Sequence, residues 1–529
     1  MASEADQGIL NRHRAGPMSE RALSDVPTIS ELIDVRADLT PGATMLRDDT
    51  GDTVSFVEYR DRVRRRAREL ADLGVGRGAT VCWQMPNTVN AMVWFGALSL
   101  LGARQAPMPI AYRRREIGGL LRLSEPDLVI TAGQWEGRDY DAVVSGAVQD
   151  LGRAIPTISG AAPSPDVAWS EHDYGTRADV RYLYATSGST GAPKLALHSD
   201  ASVLAWARAQ SSAQAIGSQD VVAYSVSLAH IGGAYMIGQA LTCGNTALLL
   251  NGFDPVGTTE TMDRHGTTVM MGVPTVYSAI VEERRRNPVN ASFARLRFCA
   301  SGAAPKPPAL HAEVQSVIGG RGLVTSYGMT EAGAIAVASP DSTDEQLENT
   351  VGRPAAGISL RIVGSDGLNL EPGEVGEIRV HGPGVFAGYS DPALDADVFD
   401  EDGYFRTGDL GVLRLDGHLS IVGRLKDVII RKGENVIPQE VEDALHRIAG
   451  VREAVVVGVP DPLVGERVCA IVTVTPGRIL TLQEVASACL AEGLMIQKVP
   501  ETLRVIDEIP RTPTGKADKV RLRADLAAS

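Results

Sequence analysis

The sequence has no apolar run long enough to cross a bilayer. Its most hydrophobic stretch, AMVWFGALSLLGA at 91–103, falls short of the roughly 20 residues a spanning helix needs and fits a buried helix instead. It also lacks any cysteine pairing pattern. Cys82, Cys243, Cys299, Cys469 and Cys489 lie far apart with no C-x-x-C, which reads as reduced, mostly buried thiols in a cytoplasmic protein. Basic excess is missing too. Lys plus Arg number 51 against 65 Asp plus Glu, a net charge of −14, and such a balance excludes a broad nucleic-acid footprint, which needs net positive charge. The opening MASEADQGILNRHRAGPM has no apolar core of signal-peptide length, and the closing DLAAS matches neither a peroxisomal nor a prenylation signal.

What remains is an ordinary globular composition, 44% hydrophobic and 22% charged, on 529 residues, too many for one core, so two or more domains are expected. SFVEYRDRVRRRARELADLG at 55–74 predicts a helix, with Ser55 and Glu58 as a capping box, Gly74 as the stop, and Phe56, Tyr59, Val63, Ala67 and Leu70 at helical spacing. The arginines in RVRRRAR read as a solvated face with acids nearby rather than as a nucleic-acid or membrane surface. From about 79 to 270, apolar strands (ATVCWQM, DLVITA, RYLYATS, VVAYSV, TALLL) alternate with helical stretches. This pattern predicts parallel sheets with helices on their faces. Residues 351–425, rich in glycine and short β-like runs, predict a small barrel or meander. After GRLKDVIIRKGEN the pattern becomes that of a small α+β domain, with the boundary near Lys426.

One loop carries chemistry. SGSTGAPK at 187–194 packs glycines and hydroxyls against Lys194. Successive backbone N–H groups in such a turn, with Ser and Thr hydroxyls, make a donor surface for phosphate oxygens, to which the lysine adds a point charge. The mononucleotide P-loop is excluded, because it needs Gly before the lysine and Ser or Thr after, and here Pro193 and Leu195 stand there.

The loop resembles the phosphate loop of the acyl-adenylate-forming enzymes, which include acyl-CoA synthetases, adenylation domains and beetle luciferases. Further motifs of that superfamily follow in the same order: SYGMTEAG at 326–333, YFRTGDL at 404–410, GRLKDVIIRKGENVIPQEVE at 423–442 and PRTPTGKADK at 510–519. The resemblance covers nearly the whole chain from about residue 50. It implies an α/β fold: a large N-terminal domain, 1–425, of two parallel αβ sheets plus a small β-barrel, and a small mobile α+β C-terminal domain, 426–529. It implies an acid–thiol ligase that uses ATP, Mg²⁺ and coenzyme A.

By the same resemblance, Ser187, Gly188, Ser189, Thr190, Gly191 and Lys194 hold the departing phosphates. Thr330 touches phosphate and Glu331 helps hold Mg²⁺. An acid beside a phosphate loop makes electrostatic sense with a metal between them. Tyr327 lies against adenine, with Ser301, Gly302, Ala303, Ser326, Gly328 and Met329 around the nucleotide. Asp409 accepts the ribose hydroxyls and Arg424 supports the same ribose. Lys516 swings in to bridge the carboxylate and the α-phosphate, neutralising charge that grows in the transition state. Lys426 is the hinge, and Gly433 lines the tunnel through which the pantetheine thiol arrives.

His230 matches the gate at the carboxylate site. Residues 221–253 contain no Asp or Glu, which argues against an amino-acid substrate, whose ammonium needs an acidic partner. Ile231, Gly232, Gly233 and Ile335, with Gly302, Ala303 and Met329, imply a small or apolar lining with room for a hydrophobic acid, including a bulky or alicyclic one. Leu195 departs from the family, which usually has glycine after the lysine. It either packs into the core or crowds the loop, and in the second case only thioesterification of a supplied acyl-adenylate would survive. The other alternative is an acyl-AMP ligase loading a carrier protein. Its long-chain members carry an insertion before the hinge, whereas sixteen residues separate Asp409 from Lys426 here. Retention of Glu331, Asp409, Arg424 and Lys516 speaks against a catalytically silent scaffold. The expected partners are a small carboxylic acid, ATP and coenzyme A, with no nucleic acid and no transmembrane segment; a homodimer is left open.

Overall fold

A computed structural model describes residues 23, 26–160, 179–187, 193–288, 293–307, 309–432, 434–511 and 517–527, the side chains of Ser187 and Ala527 apart. The helix Phe56–Asp72 is capped as its sequence dictates: Ser55 Oγ accepts from Glu58 N at 3.3 Å while Ser55 N donates to Glu58 Oε2 at 2.8 Å. Phe56, Tyr59, Val63, Ala67 and Leu70 are buried on one face, and each of the large ones contributes about 1.5–3 kcal/mol of transfer free energy. On the other face Arg60, Arg62, Arg64 and Arg68 pair with Asp38, Asp52, Asp34 and Asp72, while Arg66 is buried with the apolar residues, 4.1 Å above the Trp94 ring. The basic stretch is thus a neutralised, partly packed surface. Its neighbour Val89–Leu100 is buried almost all round, the fate of a helix apolar on every side.

Two largely parallel sheets share one core. In the nine-stranded sheet the strands run, in spatial order, Arg353–Pro354, Gly333–Val337, Leu323–Met329, Phe298–Ser301, Val269–Gly272, Val221–Tyr224, Thr246–Leu249, Thr44–Asp48 and Thr53–Ser55. The strands from Leu323–Met329 to Thr44–Asp48 are parallel, and antiparallel strands close both edges. In the six-stranded sheet the order is Pro193–Ser199, Val180–Ser187, Arg104–Pro107, Thr80–Gln84, Leu128–Thr131 and Thr157–Ser159. A single cluster containing Leu46, Phe56, Trp83, Trp94, Tyr182, Val222 and Ile237 joins the two sheets through the helices between them.

The section expected to be a small barrel or meander is, among the described residues, a four-stranded meander. Ser359–Val363, Gly376–His381, Phe405–Leu413 and Leu419–Arg424 pair antiparallel in chain order, with no closing ladder among the described residues. Beyond it, Ile429–Arg431, Glu434–Val436, Val451–Asp461, Gly465–Val474 and Thr502–Val505 form one sheet backed by the helices Pro438–His446 and Leu482–Ala491. Hydrophobic clusters drawn from residues 429–526 share no member with those drawn from 23–421. An ion pair, Arg452 to Glu282 at 2.9 Å, links the two parts. The five cysteines are free, and burial pushes the Cys82 and Cys299 thiols up to about 12. Among the described residues no helix is long and apolar enough to cross a membrane.

Candidate active site

The parallel strands Val269–Gly272, Phe298–Ser301 and Leu323–Met329 end side by side, and the carboxyl ends of parallel strands are where open α/β sheets bind ligands. Ser301, Gly302, Ala303, Ser326, Tyr327, Gly328 and Met329 all sit there. The backbone at this edge is tightly constrained. A Cβ on Gly328 would lie 1.6 Å from the Gly333 carbonyl oxygen, so only glycine fits. Ala303 takes a left-handed φ of 65°, an uncommon conformation for alanine. The Ser301 hydroxyl is buried without a hydrogen-bond partner among the described residues.

Asp409 occupies one corner. It lies directly opposite Arg424 in the meander. The carboxylate accepts from Tyr327 Oη on Oδ2 and from Arg424 Nε on Oδ1, both at 2.7 Å. Only 6% of Asp409 is exposed, while the Arg424 side chain keeps 45% of its surface. Burial, with this carboxylate beside it, pushes the Tyr327 phenol well above the usual tyrosine range. An aromatic ring, a buried carboxylate and a half-exposed guanidinium thus converge from three separate strands.

On the opposite side the hairpin Val180–Ser187 and Pro193–Ser199 sets Lys194 across from Thr186. Leu195 is fully buried with Leu183, Cys82, Ala106 and Met108, and its φ is not left-handed. The branched side chain therefore packs the core of the six-stranded sheet. Gly188, Ser189, Thr190, Gly191, Gly433 and Lys516 lie outside the described residues, as does the side chain of Ser187.

Thr330 and Glu331 form the turn between Leu323–Met329 and Gly333–Val337. That turn is tied down from two directions. His198 Nε2 meets the Thr330 carbonyl at 2.6 Å, and since a carbonyl only accepts, Nε2 carries the proton. His198 Nδ1 meets Ser202 Oγ at 2.9 Å. Burial pushes this imidazole down to about 4, with the Thr330 hydrogen bond opposing the shift. From the other side Tyr389 Oη donates to Glu331 Oε1 at 2.9 Å, and Lys194 Nζ lies 4.9 Å from the Tyr389 ring centre.

His230 is exposed at the N-cap of the helix Ile231–Cys243. A Cβ on Gly232 would meet nothing within 4 Å, so the helix start faces open space there. Ile231, Gly233 and Ile335, also expected at the acid pocket, are buried. Gly233 packs on its own turn, where a Cβ would come 2.0 Å from the Leu228 carbonyl oxygen. Ile335 is fully buried among Ala196, Ile378, Phe386 and Phe405 beneath the meander. Ile231 is likewise nearly buried, in the large core. Lys426 is exposed in the short 3-10 turn Leu425–Asp427, whose Asp427 is held by Arg523 at 3.2 Å.

Sequence reasoning missed Tyr389, His198 and Asn87. Asn87 donates to the Val226 and Leu250 carbonyls and accepts from Leu228 N, fixing the loop that leads to His230. His198 left a usable signal: strand periodicity places Lys194, Ala196 and His198 on one face. Tyr389 left none, because its partners are brought to it by the tertiary fold.

Residues 33–390 match the AMP-binding enzyme family, and residues 440–516 match the AMP-binding enzyme C-terminal domain. A sulfoacetate–CoA ligase of Cupriavidus necator is 32% identical over 508 residues, spanning 94% of this chain and 97% of that protein. A 3-(7a-methyl-1,5-dioxo-octahydro-1H-inden-4-yl)propanoyl:CoA ligase of Rhodococcus jostii is 32% identical over 497 residues, 89% of this chain and 94% of that protein. ATP-bound MatB from Rhodopseudomonas palustris has a similar structure, with a TM-score of 0.83 at 27% identity over 94% of this chain and 98% of that one.

Proposed function

The chain belongs to the AMP-binding enzyme family of acyl-adenylate-forming acid–thiol ligases, and from that premise we propose that its substrate is a hydrophobic monocarboxylic acid, bulky or alicyclic, which it joins to coenzyme A. In the first half-reaction a carboxylate oxygen attacks the α-phosphorus of ATP, the bond to the bridging oxygen breaks, and pyrophosphate leaves. In the second the thiol attacks the acyl carbon and AMP departs with the anhydride oxygen.

The observation that carries this reading is the convergence of Tyr327, Asp409 and Arg424 on one side with Lys194, Thr330 and Glu331 on the other. The first set suits adenine and ribose, the second a triphosphate. A single carboxylate completed by substrate phosphates is ordinary magnesium chemistry, so Glu331 fits Mg²⁺, which when bound neutralises charge on the phosphate oxygens. Lys516 acts at the α-phosphate, Lys426 is the hinge of a C-terminal domain beginning at 426, and Gly433 opens the thiol's path.

The acid class rests on the side of the site near His230. The helix Ile231–Cys243 and residues 271–273 and 301–303 contain no charged side chain, and Gly232 faces empty space. A second anionic group on the acid would find no cation on these segments. The burial of Leu195 removes the reason to expect impaired ATP handling, which favours a complete ligase over one limited to supplied acyl-adenylates.

A screen of carboxylic acids with ATP, Mg²⁺ and coenzyme A, read by mass, tests the proposal. Ring-bearing and branched monocarboxylic acids are expected to give the thioester and AMP. Conversion of sulfoacetate or malonate alone refutes the acid class. Thioester formation on a carrier protein's pantetheine but not on coenzyme A refutes the acceptor.

A further inference from the structure

Residues 387–390 run antiparallel beside the strand that carries Lys194. Ala387 N donates to the Leu197 carbonyl at 2.8 Å, Leu197 N to the Gly388 carbonyl at 3.0 Å, and Ser390 N to the Leu195 carbonyl at 2.9 Å. Gly388 takes a φ of 118°, and a Cβ there would fall 2.4 Å from Asp395 Oδ2. Asp395 Oδ1 accepts from Tyr389 N at 2.9 Å. The Tyr389 ring packs edge-on against Phe386, 5.0 Å away, and Phe386 N donates to the Glu331 carbonyl at 2.8 Å. The tyrosine is therefore fixed through backbone and ring before it meets any functional group.

Two such groups of opposite charge meet it. Its hydroxyl occupies Glu331 Oε1, and its ring face lies under the Lys194 ammonium. A lysine and a glutamate brought to the same residue tend to pair with each other, and a pair so formed is lost to the substrate. Here their described side-chain contacts run instead to the edge and the face of one aromatic residue. The hydrogen bond takes one carboxylate oxygen, Oε1, and not the other. The ring offers the ammonium a cation–π contact that desolvation strengthens.

We propose that Tyr389 is a positioning residue for the ATP-consuming half-reaction: it presents Glu331 to Mg²⁺ by a single oxygen and holds Lys194 toward the triphosphate. The assignment rests on the acyl-adenylation reading. Since the second half-reaction starts from acyl-AMP and involves no triphosphate, Tyr389 biases the first half-reaction selectively.

Two variants separate the hydroxyl from the ring. Tyr389→Phe keeps the face under Lys194 and deletes the bond to Glu331, whereas Tyr389→Leu deletes both. ATP binding is measured by calorimetry across a series of Mg²⁺ concentrations with no acid present, beside thioester formation from presynthesised acyl-AMP. For the Phe variant the Mg²⁺ concentration giving half-maximal ATP binding is expected to rise about tenfold, the worth of one hydrogen bond to a charged group, with a much smaller change in the acyl-AMP reaction. The Leu variant is expected to weaken ATP binding at every Mg²⁺ concentration. An unchanged Mg²⁺ requirement in the Phe variant overturns the proposal, and so does an equal fall in both half-reactions, which marks a merely structural role. A parent that shows the tyrosine-dependent Mg²⁺ requirement yet makes no thioester from any acid refutes the ligase reading and leaves this one standing.

Discussion

Replacing Asp409 by Asn tests the nucleotide corner most directly, because the change preserves shape and alters only charge and hydrogen-bond capacity. In the parent, each oxygen of the carboxylate accepts one bond of 2.7 Å, from Tyr327 Oη and from Arg424 Nε. The introduced amide turns its oxygen to Arg424, since a guanidinium only donates. Its NH₂ then faces Tyr327, whose hydroxyl switches from donor to acceptor. Both neighbours stay bonded, so the cost to folding is small. The cost appears in binding. Ribose hydroxyls that donate to a carboxylate now meet one neutral oxygen and one donor group, a loss of about 1.5–3 kcal/mol, or roughly tenfold to a hundredfold in affinity. Because ATP and AMP share the ribose, both should weaken by the same factor, while the Mg²⁺ dependence of ATP binding stays put. Calorimetric titration of each nucleotide, with a thermal melt to verify that the variant is folded, gives the answer. A folded Asp409→Asn protein that binds AMP as tightly as the parent refutes the assignment of this corner to ribose.

Three other outcomes are expected. Lys516→Ala should slow pyrophosphate release by roughly 3–5 kcal/mol of activation free energy while ATP still binds. Adenylation at the parent rate would remove Lys516 from the chemistry. His198 is buried with its pKa pushed down to about 4, so between the ordinary histidine value of 6.5 and 4 the unfolded chain takes up a proton that the folded one refuses. Stability attributable to this residue is full above that window and falls by about 3 kcal/mol as pH drops through it. Urea midpoints should decline with acid, and less steeply in His198→Gln; equal slopes would refute the neutral buried imidazole. Leu195→Gly should destabilise the fold by at least about 3 kcal/mol, through a cavity in the core and added chain entropy, without raising ATP affinity. A gain in ATP affinity would show that the leucine does crowd the phosphate side.

Much of the architecture was legible from local signals. The helix Phe56–Asp72 announced itself by its cap and its apolar spacing, and the strands around Thr80–Gln84 and Val180–Ser187 by bounded apolar runs. The candidate site was legible as motifs, because phosphate loops and tight glycine turns impose their chemistry on adjacent residues. Gly328 is such a case, since a side chain there would collide with the turn five residues on. Ile335, packed among Ala196, Ile378, Phe386 and Phe405, is the converse case: whether an apolar residue faces a cavity or a core depends on what the fold stacks against it.

By itself, then, the chain's order of residues determined which segments become helix or strand, which motifs stand in which order, and that the whole is an acyl-adenylate-forming enzyme. Only the tertiary structure decided that Thr44–Asp48 pairs with Thr246–Leu249, that Leu195 turns into the core, and that Tyr389 and His198 reach Glu331 and Thr330 across 58 and 132 residues. Local patterns report backbone geometry within a few residues, while contacts between distant segments are set by strand order and register.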